Sequence, residues 1–266
     1  MKRVLAFLSM LLLLAACGGQ GAENSGRAEV LLTDAPASEA DSLPVTFSRI
    51  ELVSEAEGVM SVEVEPQTID VLTLRNGGLE VLGEVDLPAG TYHQVRLVVD
   101  EAEITFVGGA EVYEVQVPSG AQTGLKINIE PALIVEANQT SRVVLDFDAE
   151  RAVVENPPGS GNYILEPTAI RAVTTSGTVE GRVIAGGDPV TPIAGVLITV
   201  LDQDGNEVTA TITEADGSFR LITLPEGSYD LELSLEGYGS VTIEDVAVVE
   251  GEATVLGELE MTLATP

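Results

Sequence analysis

The sequence is poor in the side chains that most enzymes use. It has one histidine, His93, one cysteine, Cys17, and no tryptophan. Zinc sites take most of their ligands from His and Cys, so a zinc centre is not expected. A Ser-His-Asp site would need an activated serine beside His93, and no Gly-x-Ser-x-Gly elbow is present. The sequence therefore predicts a protein that is not an enzyme, with no catalytic residues and no cofactor.

Positive charge is also scarce, with 12 Lys and Arg against 43 Asp and Glu and a formal net charge of −31. Such a surface repels phosphate backbones and anionic headgroups, which excludes nucleic acid as a partner. Paired acids such as Asp146 and Asp148 are one route to hydrolysis, which stays a remote alternative. Strand-end capping, or pairing with Arg96 or Arg171, accounts for them better.

No apolar run is long enough to cross a bilayer, which takes about 20 residues. The longest opens the chain, where Lys2 and Arg3 precede the apolar stretch 4–14, as in a secretory signal. The residues that follow, Leu14-Ala15-Ala16-Cys17, resemble the lipobox of bacterial lipoproteins. The resemblance implies removal of residues 1–16, lipidation of Cys17 and attachment to a membrane. Gly18, rather than aspartate, would then direct the protein to the outer membrane of a Gram-negative cell.

Residues 17–26 are mostly small and polar and predict a flexible tether. From Arg27 onwards, short segments with a period of two alternate with Gly, Pro, Asn or Asp, which is typical of β-strands. No window of a dozen residues has a helical period. We therefore expect an all-β chain whose first domain covers residues 27–173.

Four motifs in this first domain resemble the DUF4382 family, a domain of uncharacterised function found in bacterial lipoproteins. They occur in the order typical of that family. They are Leu32-Thr33-Asp34-Ala35-Pro36, Leu87 to Tyr92 followed by Val95-Arg96-Leu97, Pro118 to Lys126, and Leu145 to Ala149. The resemblance implies a boundary for the domain and carries no chemistry.

After a short polar linker at 174–177, residues 178–266 contain seven alternating segments separated by turns. This spacing predicts a seven-stranded β-sandwich. The segments Val179 to Val183, Thr213 to Phe219 and Leu224 to Tyr229 resemble the carboxypeptidase regulatory-like domain. That resemblance implies a transthyretin-like sandwich without catalytic residues of its own. The chain is thus expected to hold two β-sandwich-type domains in tandem.

Both domains contain the same local pattern, a Leu-Pro-x-Gly-[Thr or Ser]-Tyr segment ending at Tyr92 and at Tyr229. Proline presets a turn, and glycine permits the backbone that leads into the next strand. The pattern predicts a tyrosine corner, in which the ring packs and its hydroxyl binds a nearby backbone oxygen.

One segment suggests a metal. Asp202, Asp204 and Asn206 place oxygen atoms at alternate positions, partly like an EF-hand loop, and would be ligands of a structural calcium ion. The twelfth position from Asp202 is Thr213, which cannot supply the bidentate carboxylate of such loops. A hairpin turn explains the segment at least as well.

Together these features predict a lipid-anchored, non-enzymatic protein of the cell envelope. It would present an interaction or adhesion surface to an envelope protein or a glycan, with the second domain as spacer or docking module. The alternative is an envelope lipoprotein that binds carbohydrate or calcium.

Overall fold

The computed structural model describes residues 24–35, 39–118, 123–186 and 190–264. The predicted signal at 1–16, and Cys17 with it, lies outside these residues. Within the described ranges, no helix is long and apolar enough to span a membrane.

The first domain consists of twelve strands and very little helix. A one-turn helix, α1, spans Ala149–Ala152, and 3₁₀ turns cover Val71–Leu74 and Pro167–Ala169. The strands are β1 Ser25–Ala35, β2 Ala40–Ser42, β3 Pro44–Ser54, β4 Gly58–Asp70, β5 Glu80–Pro88, β6 Gly90–Phe106, β7 Val112–Gln116, β8 Leu125–Val135, β9 Thr140–Asp148, β10 Val153–Glu155, β11 Tyr163–Leu165 and β12 Ile170–Val173.

The main path of hydrogen-bonded neighbours runs β4-β3-β6-β8-β12-β9-β1-β5. Its two outer strands approach each other, because Gln67 on β4 donates to the Leu82 carbonyl on β5. The sheet therefore curls around one core, which contains Phe47, Tyr92 and Phe147. The small strands β7, β11 and β10 extend the sheet beyond the far end of β6.

The second domain is a sandwich of two sheets. Its strands are β13 Gly177–Ala185, β14 Thr191–Pro192, β15 Leu197–Leu201, β16 Glu207–Ile212, β17 Ser218–Leu224, β18 Gly227–Ser234, β19 Val241–Val248 and β20 Ala253–Met261. One sheet places β13 between β17 and β20, with β14 on one end, and the other has the order β16-β15-β18-β19. A separate core around Phe219, Leu231 and Met261 fills the space between them. The all-β prediction is confirmed, and the short β14 adds an eighth strand to the seven predicted.

The predicted tether is wrong in its last two residues, since β1 begins at Ser25. Backbone hydrogen bonds hold this segment down: Asn138 N donates to Ser25 O, and Ala89 N donates to Asn24 O. These small polar residues show no hydrophobic alternation, so the sequence did not indicate a strand there. Two neighbouring turns nevertheless supply the hydrogen-bond partners that order the segment.

The tyrosine corners are confirmed in both domains. Tyr92 Oη donates to Pro88 O at 2.9 Å, and Tyr229 Oη donates to Pro225 O at 3.0 Å. Both rings are buried. Each hydroxyl ties the start of a strand to the turn before it.

Candidate functional site

A group of buried polar side chains lies where the two domains meet. Strands β1 and β9 are parallel neighbours, with Thr33 opposite Asp146 and Asp34 opposite Phe147. Both strands therefore end at the same edge of the first domain, and β16 of the second domain packs against that end of β1. We call the set Asp34, Asp146, Thr209, Thr211 and Thr223 the domain junction.

Asp146 is the acceptor that joins the domains. Its carboxylate pairs with Arg171 of the neighbouring strand β12, one of the two arginines suggested from the sequence. The same oxygen, Oδ2, accepts from Thr223 Oγ1 at 2.9 Å and lies 3.5 Å from Thr209 Oγ1, both in the second domain. The Asp146 side chain is 4% exposed. The other suggested partner, Arg96, instead bonds Gln94 and pairs with Glu51.

A second contact closes the junction on its other side. Asn76 Oδ1 accepts from the Arg220 backbone N–H at 2.6 Å, while Asn76 Nδ2 donates to Glu214 at 3.2 Å. Asn76 adopts φ 60°, in the left-handed region that asparagine tolerates better than most residues. Its side chain thereby satisfies a backbone donor of β17, which has no strand partner on that side among the described residues.

Between these contacts lies a cavity of about 10 Å³, enough for one water molecule. Asp34, from the first domain, and Thr211, from the second, both line it. Asp34 Oδ2 and Thr211 Oγ1 are buried side-chain atoms without a hydrogen-bond partner in the described part of the chain. Asp34 Oδ1 accepts from Ala149 N at 3.3 Å.

Burial raises the pKa of Asp34 well above its ordinary value, and the negative charge of Asp146 raises it further. Burial also raises the pKa of Asp148, to about 6, although its carboxylate caps α1 by accepting from Arg151 N. Raised carboxyl pKa values are a feature of many acid catalysts. The cavity here holds no more than one water molecule, and Asp148 does not line it. Both acids accept from backbone N–H groups of α1, Asp34 from Ala149 and Asp148 from Arg151.

The sequence interpretation did not identify Thr209, Thr211 or Thr223. A signal was present, because Thr209 and Thr211 lie on the buried face of β16 and Thr213, just after it, continues the alternation. A core-facing row of hydroxyls indicates a polar neighbour. Thr213 stays within its own domain, where it donates to Ile193 O and accepts from Val196 N.

A separate feature is the aromatic cluster, formed by Phe106, Tyr113 and Tyr163. The ring centroids lie 5.1 to 5.9 Å apart. Tyr113 Oη donates to Glu111 at 2.9 Å, and all three side chains are partly exposed. Glu155 holds the adjacent loop by accepting from Gly159 N and Gly161 N, and these bonds lower its pKa.

The predicted calcium ligands occupy a hairpin turn. Asp202 Oδ1 accepts from Asp204 N at 2.9 Å and from Asn206 N at 2.8 Å, while Asn206 Nδ2 also donates to the Asp202 carboxylate. These bonds lower the pKa of Asp202. In the described ranges, no group of three His, Cys, Asp or Glu side chains is placed to hold a metal ion. Calcium at this turn stays a prediction. His93 is exposed on β6.

Two known protein families match the chain. Residues 25–167, more than half of the chain, match the domain of unknown function DUF4382. The chain belongs to the DUF4382 family. Its second domain matches the carboxypeptidase regulatory-like domain over residues 178–262. The predicted order of the two domains is thus confirmed. A comparison with curated proteins found no match.

Solved structures overlap with the chain only weakly. The Bacillus anthracis TIE protein is 15% identical, with a TM-score of 0.27, over 91% of this chain and 34% of that one. The minor pilin GBS52 of Streptococcus agalactiae is 11% identical, with a TM-score of 0.30, over 90% and 97%. A type II cohesin–X-dockerin complex from Acetivibrio cellulolyticus is 20% identical, with a TM-score of 0.27, over 33% and 58%. The chain thus spans about a third of the TIE protein and about three fifths of the cohesin–X-dockerin chain. TM-scores this low carry no functional conclusion.

The buried acids predict a pH-dependent stability. Because burial raises the pKa of Asp34 and Asp148, these two groups bind more protons in the folded chain than in the unfolded chain above about pH 4. Stability contributed by these groups is therefore complete below that pH and is lost as pH rises, through about 6 for Asp148 and further for Asp34. The stability of Asp34→Asn relative to the native chain should therefore increase as pH rises. Denaturant unfolding at several pH values measures this difference.

The matched control is Glu65→Gln, which removes one negative charge from an exposed strand position. Its free energy of unfolding should change with pH in the same way as that of the native chain, apart from a small shift due to net charge. A constant difference between Asp34→Asn and the native chain at every pH would show that Asp34 does not resist ionisation.

Proposed function

We propose that the chain is a lipid-anchored, non-enzymatic protein of the cell envelope that presents its interaction surfaces away from the membrane. The observation that carries this proposal is the course of β1. This strand begins beside the proposed tether and ends at the domain junction, 11 residues later. At about 3.3 Å per residue, it separates the two ends by about 35 Å.

The tether end is defined by two turns that meet at the start of β1. Ser25 O accepts from Asn138 N, Arg27 N donates to Gln139 O, and Asn24 O accepts from Ala89 N. With lipid on Cys17, seven residues would connect the membrane to Asn24, and their full reach is about 25 Å. These turns would therefore lie close to the bilayer. Two or more acyl chains on Cys17 would make the attachment stable.

The opposite end carries the second domain and the aromatic cluster. Strand β6 starts at Gly90, next to the tether end, and reaches Phe106 of the aromatic cluster after 17 residues. Aromatic side chains are enriched at the centres of protein interfaces. This placement supports the second domain as a docking module rather than as a spacer, because it lies beyond the first domain as seen from Cys17.

The proposal predicts two different distances from the bilayer. Cys17 is the only native cysteine, so an introduced cysteine can be labelled specifically once Cys17 is acylated. Energy transfer to acceptor lipids should be strong from a dye at Gln139→Cys, near the tether. It should be much weaker from a dye at Thr242→Cys on β19, which lies three strands beyond β16.

The control is Cys17→Ser, which should release the protein into the soluble fraction and abolish transfer from both positions. Retention of Cys17→Ser in the membrane fraction would contradict the anchor. Equal transfer from Gln139→Cys and Thr242→Cys in the anchored protein would contradict the orientation while leaving the anchor intact.

Binding of a glycan is the second candidate function, and the aromatic cluster favours it. Sugar rings stack on exposed aromatic faces, and nearby carboxylates accept from sugar hydroxyls. Glu111 and Glu155 are the carboxylates beside Tyr113 and Tyr163. Binding on a glycan array should be lost in Tyr113→Ala and kept in Tyr238→Ala, a tyrosine of the second domain. A blank array with the native chain, or equal signals from both variants, would remove this candidate.

A further inference from the structure

A groove of about 550 Å³ crosses the outer face of the second domain, on the sheet in which β13 lies between β17 and β20. Its volume falls in the range of small-molecule sites, which lie preferentially at domain interfaces. Asn76 of the first domain forms one border. All residues that line this outer-face groove belong to the described part of the chain.

Two rows of side chains form the walls. Strand pairing aligns Val255, Glu180 and Arg220 in one row, since Glu180 is opposite both of the others. The second row contains Glu258, Arg182 and Ser218, because Arg182 is opposite both of the others. Between the rows, β20 carries an extra residue at a bulge, where Gly257 adopts φ 72°. The bulge separates Val255 from Glu258 more than regular pairing would.

The floor is backbone at Gly181. A Cβ at this position would lie 2.8 Å from the Phe219 ring, so glycine lets the strand rest directly on the core. The floor and Val255, which is 67% exposed, make much of the groove apolar. An apolar surface with a few convergent polar groups is the usual composition of a ligand site.

The polar group without a strong partner is the Arg220 guanidinium. Its nearest carboxylate oxygen, on Glu180, is 3.9 Å away, beyond hydrogen-bond distance, and the side chain is 54% exposed. Arg182 is better satisfied, because its Nε donates to Asp216 O at 2.8 Å and its Nη1 lies 3.4 Å from Glu258. Asn76 fixes the backbone of Arg220 by accepting from its N–H. The backbone of Arg220 is therefore anchored, while its guanidinium is free to turn towards a ligand in the groove.

The groove carries no net charge of its own. Its two arginines balance its two glutamates, whereas the chain as a whole carries −31. The charge of distant acids is screened within about 8 Å at physiological salt. A single carboxylate can therefore approach Arg220, and the planar guanidinium matches a carboxylate through two parallel hydrogen bonds. A polyanion would meet repulsion beyond the groove.

We propose that the outer-face groove binds an organic carboxylate that carries an apolar group. The carboxylate binds Arg220 on β17, and the apolar group contacts Val255 on β20. These residues lie two strand spacings apart, roughly 10 Å, which is the length of a capped dipeptide. The C-terminal end of a peptide with an apolar side chain has this chemistry. The proposal is independent of the lipid anchor and of the aromatic cluster.

The test uses the purified chain and three probes: N-acetyl-Phe-Ala with a free carboxylate, the same dipeptide as its C-terminal amide, and glucuronic acid. Titration calorimetry should show binding of the free acid at millimolar concentration or below. Amide resonances of Gly181 and Gly257 should shift with the same affinity. The amide should bind at least about tenfold more weakly, since it cannot form the charged pair.

Arg220→Gln should lower the affinity for the free acid by about tenfold or more. Val255→Glu should lower it as well by placing a carboxylate where the apolar group binds. Both side chains are exposed, so the thermal unfolding midpoints should stay close to that of the native chain. Arg142→Gln, which removes the same charge from an exposed arginine of the first domain, should bind like the native chain.

Equal binding of the acid and the amide, or no shift at Gly181 and Gly257, would overturn the proposal. Binding of glucuronic acid as tight as that of the dipeptide acid would contradict the apolar contact with Val255. Equal losses in Arg220→Gln and Arg142→Gln would show attraction by overall charge rather than a site.

Discussion

The arrangement of this chain depends on one buried carboxylate, Asp146. It accepts from Arg171 within the first domain and from Thr223 of the second, and Thr209 completes its surroundings. Removing one partner of a buried ion pair leaves a charge without compensation, which costs about 3–5 kcal/mol. The second domain is thus attached through an acceptor that the first domain has already fixed. Asn76 adds a second attachment at the edge of β17.

A fixed junction gives the molecule a direction. Strand β1 leads from the tether end to Asp34 and Asp146, and the second domain continues from there. If Cys17 carries lipid, the surfaces suited to recognition lie far from the bilayer. The aromatic cluster and the outer-face groove differ in chemistry, since one offers rings beside carboxylates and the other a guanidinium beside an apolar wall. The first suits a glycan, and the second suits an organic carboxylate.

The sequence predicted the all-β class, the second-domain sandwich and the tyrosine corners, because each depends on local pattern. For Asp146 it offered capping or two possible arginine partners, and the partner is Arg171. Local pattern does not identify β5, in which Leu82 is buried. That strand is fixed by its pairing with β1, a contact between residues about fifty positions apart. The domain junction was not predicted for the same reason, because Asp146 and Thr223 are 77 residues apart in the sequence. The alternating threonines of β16 were the sequence feature that indicated a polar neighbour at this junction.

Calorimetric unfolding of Asp146→Asn tests the central claim most directly. The native chain should unfold in one cooperative transition, because the junction couples the two cores. Asp146→Asn should separate this into two transitions, while Asp100→Asn, which removes the charge from an exposed acceptor of Ser48, should still show one. A single transition at an unchanged midpoint in Asp146→Asn would show that the domains do not depend on Asp146. Two transitions in the native chain would show that the junction does not couple them.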